Sequence, residues 1–490
     1  MDLELTLTPA DIVPLYRQIY VQIREKILNG DLQPGTPLPP SRTLAEVYDI
    51  ARVTVTVAYD QLQAEGYVTA QIGAGTVVAE HLPVPHEPAA FEPVFSQWGK
   101  RVSSTAQVVE ETPVARPEID FGFGRSFPHI FPYDIWRRLL ARYLSTDDTM
   151  LSRYGSVAGF NPLRSAVADY LRRMRGVRCS SEQVVIVSGI QQALDILARL
   201  LLEVGDEVLV ETPGYPDAFK LFRLHHAKLT ALPVDENGFP VEKIPASSQA
   251  RFAFVTPSNQ FPRGGTMPLE RRLALLHWAQ EHKALILEDD YDGELRYRDH
   301  PLAALQGLDE DGRVVYLGTF SKVLFPALRL GYVVLPSALL APFLQAKQLV
   351  DRGAPTLTQA AVADFIVEGH FERHLRRLRK SYGRRRHVLV QALRTCLPDQ
   401  IRYSQVEAGL HVMVYLDEAA SEAEIVQKAA EVGVGLYPGL PYHIEQPARP
   451  SVLLGFSGLS EEEIVEGIRR LAGILTGHPI PLPNTHGGNC

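Results

Sequence analysis

Val314-Val-Tyr-Leu-Gly-Thr-Phe-Ser-Lys322-Val-Leu-Phe-Pro-Ala-Leu-Arg329-Leu-Gly331 is the stretch on which the fold turns. An apolar, β-branched run ends in a glycine, and a lysine follows four residues later. That run has the character of a strand buried on both faces. Upstream the pattern returns at residues 184–189 (VVIVSG), 207–215 (EVLVETPGY), 250–260 (ARFAFVTPSNQ) and 284–292 (ALILEDDYD), with helical segments such as 191–202 and 269–282 between runs. Strands alternating with helices predict an α/β domain built on a mainly parallel sheet sandwiched between helices. Functional groups in such folds collect at the carboxyl ends of strands, and that is where Lys322 falls.

Three further runs end in candidate groups. Val187-Ser-Gly-Ile-Gln-Gln-Ala193 places a glycine turn between strand and helix, where backbone N–H groups and the helix N-terminus can hold a phosphate. Pro213-Gly-Tyr215 supplies an aromatic ring after the next strand. Glu288-Asp-Asp-Tyr-Asp292 brings carboxylates out at the end of Ala-Leu-Ile-Leu. Each alone has an ordinary alternative: a structural turn, a packed tyrosine, a solvated acidic loop, a surface lysine. Together, in this order, they supply what pyridoxal phosphate (PLP) chemistry requires: a lysine for an imine, an acid for the ring nitrogen, a stacking ring and a phosphate cradle.

The N-terminal part has a different pattern. Apolar residues at Leu15, Ile19, Ile23 and Ile27 make one stripe on a helix that Gly30 can close. Pro40-Ser41 supplies a stop and a cap for a second helix, with Leu44, Ala45 and Tyr48 inward. Residues 52–59 (RVTVTVAY) alternate with period two and would be a strand in isolation; their context between that helix and a glycine-rich hairpin predicts a third helix, over about 51–65. Residues 66–79 then form two short β runs about a glycine turn, suited to a wing.

Leu38-Pro-Pro-Ser-Arg-Thr-Leu-Ala45 and Arg52-Val-Thr-Val-Thr-Val-Ala-Tyr-Asp-Gln-Leu-Gln-Ala-Glu-Gly-Tyr67 resemble the GntR family of winged-helix repressors. The downstream segments, with Thr256-Pro-Ser-Asn-Gln-Phe-Pro-Arg-Gly264, resemble fold-type I PLP aminotransferases. The whole chain is similar to MocR/GabR-type regulators, which join the two. The resemblance implies operator contacts from Ser41, Arg42, Arg52, Thr54, Thr56 and, at the wing tip, Gly73. It implies that Lys322 forms the imine with PLP, that Asp289 pairs with the ring nitrogen, that Tyr291 bonds the ring hydroxyl and that Tyr215 stacks on the ring. Ser188, Gly189, Ile190, Gln191, Thr319, Ser321 and Arg329 would hold the phosphate, and Asn259 or Gln260 would face the ring. Tyr154 would enter from a partner subunit, which implies a homodimer.

The resemblance also shows a departure. Where an aminotransferase carries an arginine for the substrate carboxylate, this chain has Val452-Leu-Leu-Gly-Phe456. His411 and Arg263 are substitutes to consider, although each reads more simply as structural. The expected function is therefore a regulator of double-stranded operator DNA that senses PLP or an amino-group ligand at Lys322. The alternative is a working aminotransferase with an accessory head.

Composition sets the outer bounds. With 490 residues, 46% hydrophobic and 22% charged, the chain is globular and too long for one average domain. The expected layout is a head over 11–80, a proline-rich linker over 81–117, the large domain over 118–477 and a disordered tail over 478–490. Nothing approaches a membrane span and the start lacks a basic signal, so a cytoplasmic protein is expected. Cys179, Cys396 and Cys490 have no metal-ligand spacing, and no metal is expected. The net charge of -8 gives no overall bias toward nucleic acid, and residues 11–80 hold five Lys or Arg against eight Asp or Glu, a net of -3. A basic segment at 370–387 reads first as a solvated or intersubunit face and second as a DNA contact.

Overall fold

The computed structural model describes residues 3–71, 75–80, 93–104, 117–125, 130–144, 149–297, 302–397, 401–404 and 407–476. The wing tip with Gly73, most of the 81–117 linker and the 478–490 tail lie outside the described residues. The chain divides into two units, residues 1–97 and 98–490.

In the first unit, α1 (Leu15–Leu28) buries Ile19, Ile23 and Ile27 of the expected stripe together with Tyr20, while Leu15 is half-buried. Next come α2 (Ser41–Val47) and α3 (Arg52–Ala64). The alternating segment is a helix because its apolar residues also satisfy a helical stripe: Val55, Ala58, Tyr59 and Leu62 are buried. Val53 and Val57, which complete the alternation, are exposed. The strands β1 (Val68–Gln71) and β2 (Gly75–Val78) pair antiparallel as the wing. Ser41 does not cap α2, contrary to the sequence reading. Pro40 holds the N-cap position, Ser41 is the first helical residue and its Oγ accepts from Arg52 Nε at 3.3 Å. The unit also takes in an arm ahead of residue 11, with Leu3 and Leu5 buried.

In the second unit a seven-stranded sheet uses β3 (Val184–Val187), β4 (Glu207–Thr212), β5 (Lys228–Pro233), β6 (Phe252–Val255), β7 (Leu285–Asp290), β8 (Val314–Thr319) and β9 (Gly331–Val334). Their order is β3-β9-β8-β7-β6-β4-β5, and β9 alone runs against its neighbours. On one face Val185, Val208, Phe254, Leu287 and Leu317 share a core with Leu194 and Leu197 of α4 (Ile190–Leu201) and Phe219 of α5 (Pro216–Leu224). On the other face Leu209, Ala253 and Ile286 pack with Leu275 of α6 (Leu269–Glu281). Both faces are covered, as the continuous apolar runs require.

A smaller sheet orders Arg402–Tyr403, β10 (His411–Tyr415), β12 (Ser451–Gly455) and β11 (Tyr437–Pro438), with β11 at its edge. The basic segment belongs to α7 (His370–Cys396), which packs against α8 (Glu461–Thr476). Its arginines are partly spent internally: buried Arg385 donates to the Leu459 carbonyl and Arg384 pairs with Glu461 at 3.2 Å.

Candidate functional site

Adjacent parallel strands β7 and β8 bring the key groups together, with Asp289 in register with Leu317 and Asp290 with Gly318. Lys322 emerges three residues past the end of β8. It lines a cavity of about 300 Å³ with Gly189, Ile190, Gln191, Tyr215, Asp289, Tyr291, Thr319, Ser321 and Arg329. The cradle side is built for close approach. Gly189 has φ +99° and caps α4, and a Cβ there would lie 3.1 Å from an Arg329 nitrogen. Arg329 itself has φ +49°, and its guanidinium donates to the Ser188 carbonyl at 3.2 Å. A helix N-terminus, two hydroxyls and a guanidinium facing one space are suited to a phosphate.

Asp289 is buried, and its Oδ1 has no hydrogen-bond partner among the described residues. Burial, reinforced by the neighbouring Asp290 carboxylate and opposed by Lys322, raises its pKa to about 8. A buried carboxyl with a free oxygen fits a protonated ring nitrogen, so the residues present fit PLP. Lys322 has a lowered pKa, because burial penalises its ammonium more than the Asp292 and Asp289 carboxylates favour it. Its Nζ lies 4.1 Å from the centre of the Phe123 ring. Burial also raises Glu211 to about 7 against its hydrogen bonds to Thr256 and Gln260. Glu288 stands at about 7 as well, pushed up by burial and then by Asp290, against hydrogen bonds from the Leu305 and Gln306 amides.

Four expected residues, Ser188, Asn259, Gln260 and Tyr154, are not among those that line the cavity. Ser188 gives its N–H to Gln192 Oε1 at 2.8 Å. Asn259 is buried and donates from Nδ2 to the Tyr291 hydroxyl at 3.0 Å and to Asp292 at 2.8 Å, so it orients Tyr291. Gln260 turns away to the Pro213 carbonyl at 2.9 Å, which separates the two amides that the sequence left open. Tyr154 is 85% exposed, beside Arg352. The lining also includes Phe123, Asp217 and Phe261, which sequence reasoning missed. A signal for Phe123 existed in Phe121-Gly-Phe-Gly124: Gly124 has φ +80°, a conformation that side chains rarely adopt, and it lies against Lys322 Nζ.

The two substitutes for the missing arginine are structural. His411 bonds the Pro262 carbonyl at 2.9 Å, and burial takes its pKa down to about 3. Arg263 donates to the Val234 carbonyl at 2.7 Å. Leu453 and Leu454 are fully buried in β12.

On the head, Arg42 is exposed and pairs with Glu46 at 3.0 Å, while Arg52 is exposed and reaches Ser41. Thr54 and Thr56 are half-buried on α3, and Thr56 Oγ1 bonds back to the Arg52 carbonyl at 3.1 Å. No group of metal-ligating side chains and no helix long and apolar enough to cross a membrane occurs among the described residues.

Residues 15–78 match the gntR family of bacterial regulatory proteins, and residues 129–471 match aminotransferase class I and II. The chain is 40% identical over 462 residues to the probable rhizopine catabolism regulatory protein MocR of Rhizobium meliloti, covering 94% of this chain and 93% of that one. It belongs to the MocR/GabR-type regulators. Another relative of that type, the pyridoxine biosynthesis transcriptional regulator PdxR of Corynebacterium glutamicum, is 30% identical over 463 residues, 94% of this chain and 96% of that one. Among solved structures, the kynurenine aminotransferase of Pyrococcus horikoshii superposes with a TM-score of 0.73 at 30% identity, covering 78% of this chain and 97% of that one. LysN, the α-aminoadipate aminotransferase of Thermus thermophilus, solved with N-(5'-phosphopyridoxyl)-L-leucine, gives 0.72 at 31%, with the same coverage. A MocR/GabR-type chain is thus a DNA-binding regulator joined to a fold-type I aminotransferase-like domain whose cofactor is PLP.

Proposed function

We propose that this regulator senses PLP, or an amine that displaces Lys322 from it, and that the change alters how two heads engage an operator. The reading rests on one observation: a lysine with a lowered pKa and a buried carboxyl with an unpaired oxygen face the same cavity. PLP would supply an aldehyde that condenses with a primary amine to a coloured imine, on a ring that withdraws electrons. Burial favours the neutral amine of Lys322, the form that attacks an aldehyde. Asp289 would hold a proton at the ring nitrogen, and Tyr291, whose hydroxyl accepts from Asn259, would bond the ring oxygen. Tyr215 would cover a ring face, while Thr319, Ser321, Arg329 and the N–H groups of residues 189–191 would hold the phosphate. Ser188 supports that cradle through the Arg329 contact.

The second copy enters through Tyr154, whose exposed ring suits a partner's site better than its own. Ser41, Arg42, Arg52, Thr54, Thr56 and Gly73 are the proposed DNA contacts: arginine grips guanine or phosphate bidentately, and threonine reaches phosphate or a thymine methyl. The cytoplasm is the compartment in which such a regulator works. The absence of an arginine at Leu453 supports sensing over turnover.

The test has two parts. The PLP-loaded chain should absorb as a Lys322 imine, and Lys322→Ala should abolish that band; an unchanged band would sink the lysine assignment. Footprinting of DNA upstream of its own gene, with and without PLP, should show protection that PLP alters. Sustained amino transfer between an amino acid and a keto acid, without a footprint, would favour the aminotransferase instead.

A further inference from the structure

We propose that the buried Lys347–Asp351 pair, acting through Gln192, positions the turn that takes the cofactor's phosphate. These are positioning residues: they set the affinity for the phosphate end of the ligand and not for its aldehyde end. The inference rests on the PLP reading above and deepens it at one corner of the same site.

The turn is Ser188-Gly189, between β3 and α4. Gly189 holds the N-cap position with φ +99°, so no side chain of its own can fix the turn. Its neighbour is tied instead. The Ser188 N–H donates to Gln192 Oε1 at 2.8 Å and the Ser188 carbonyl accepts from Arg329 at 3.2 Å, so both backbone polar groups of that residue are held. Gly331 packs against the same turn, where a Cβ would stand 3.4 Å from the Gly189 Cα. Gly189, Ile190 and Gln191 line the cavity at the start of α4, where amides lack a partner within the helix. Holding Ser188 therefore aims the amides that follow it.

Gln192 is itself anchored. A loose glutamine is rich in rotamers, and ordering it on binding would cost affinity. Its Nε2 donates to Asp351 Oδ2 at 2.8 Å, and the two oxygens of Asp351 accept from Lys347 Nζ at 2.9 and 2.7 Å. The Gly353 N–H adds a fourth bond to that carboxylate at 2.8 Å. Lys347 stands in the last turn of the helix Ser337–Val350 with its side chain fully buried. Burying an ammonium is unfavourable, and a solvated lysine can close a helix end without it. The buried pair instead provides an anchor that is fixed and balanced in charge. An unpaired acid behind the cradle would oppose a phosphate; paired with Lys347, Asp351 orders Gln192 with little such opposition. Gln192 is the third residue of α4, the position from which a glutamate or glutamine reaches back to the chain ahead of a helix, and the neutral amide is the one that suits an anion site.

The ligand-free full chain is titrated with PLP and with pyridoxal, which has the ring and the aldehyde but no phosphate. Gln192→Met, which keeps the bulk and removes both polar arms, should weaken PLP binding about tenfold and leave pyridoxal within about twofold of the wild type. Replacing the pair together, Lys347→Met with Asp351→Leu, avoids stranding one buried charge and should shift the balance in the same direction. Adding Gln192→Met to that pair should cost little more, since the three residues act in series. The proposal is overturned if Gln192→Met loses both ligands alike or neither, because a merely structural role does not distinguish them. A pair variant that keeps wild-type affinity for PLP overturns it too. So does a wild type that binds the two ligands equally, which leaves sensing through the aldehyde intact. A wild type that binds neither removes both readings.

Discussion

Burial puts the Asp289 carboxyl at a pKa of about 8, whereas in an unfolded chain it titrates near ~4. Between those values the folded protein holds a proton that the unfolded chain has released. Stability from this group is therefore complete below pH ~4 and is lost as pH rises toward 8. Glu211 and Glu288, each held at about 7 with burial the largest cause, act with the same sign. The ligand-free protein should melt progressively lower from pH 5 to pH 8. Asp289→Asn removes the charge without removing the bulk, so it should flatten part of that slope and melt higher than the wild type at pH 8, by roughly 2–4 °C per kcal/mol recovered. The same variant should lose most PLP affinity, because an amide cannot hold a proton on the ring nitrogen. Calorimetry across pH, with a PLP titration beside it, checks both. An Asn variant that melts no higher at pH 8 would show that the carboxyl is not strained there. Lys322 and Asp289 were legible because each ends an apolar run. Phe261 and Asp217 were not, although they follow closely on Asn259 and Tyr215, because tertiary packing decides which side chains of a turn face the cavity; Phe123 was signalled only by its flanking glycines.

At the scale of elements, α3 shows how one sequence satisfies two periods. Residues 52–59 alternate, yet Val55, Ala58, Tyr59 and Leu62 meet a helical stripe, and only the head's core decides between them. α3 starts without a side-chain cap at Ala51, so its stability comes from packing on α1 and α2. The arm was the element that the sequence reading passed over, although Leu3-Glu-Leu-Thr-Leu7 alternates as an extended strap. Its backbone is tied at several points: the Leu5 N–H donates to the Tyr48 hydroxyl at 2.6 Å, that hydroxyl donates to the Leu3 carbonyl at 2.7 Å, and Gln22 and Gln18 bond the backbones of Thr6 and Thr8. Tyr48 ends α2, just before the turn into α3. Tyr48→Phe leaves two partly buried backbone groups unpaired and should cost the head about 1–3 kcal/mol. Hydrogen exchange on the full chain should show the arm and the start of α3 exchanging faster while β7 and β8 keep their protection. Unaltered exchange at Leu5 would count against the strap.

For the whole molecule, the two units were separately legible because each carries its own core pattern, one of amphipathic helices and one of continuous apolar strands. What local patterns do not encode is how a head of net charge -3 over residues 11–80 binds a polyanion. In the dimer proposed above, two heads on two half-sites would resolve this, since a second contact made within one assembly adds affinity without added charge on either head. If PLP controls that assembly, the control is a coupling free energy and must be reciprocal. A regulator of this kind should change its DNA affinity by about 5- to 150-fold on loading with PLP, and DNA should change its PLP affinity by the same factor. Fluorescence titrations of DNA against loaded and ligand-free protein, and of PLP with and without DNA, measure the two factors. Arg42→Ala, which removes an exposed side chain paired with Glu46, should weaken DNA binding in both states and leave the ratio unchanged, because it touches the contact and not the switch. Asp289→Asn should do the reverse, leaving ligand-free DNA binding alone and erasing the ratio. A factor of one in both directions would mean that cofactor and operator are bound independently. Unequal factors would mean that the number of associated chains differs between the two titrations, since a closed thermodynamic cycle admits no other source.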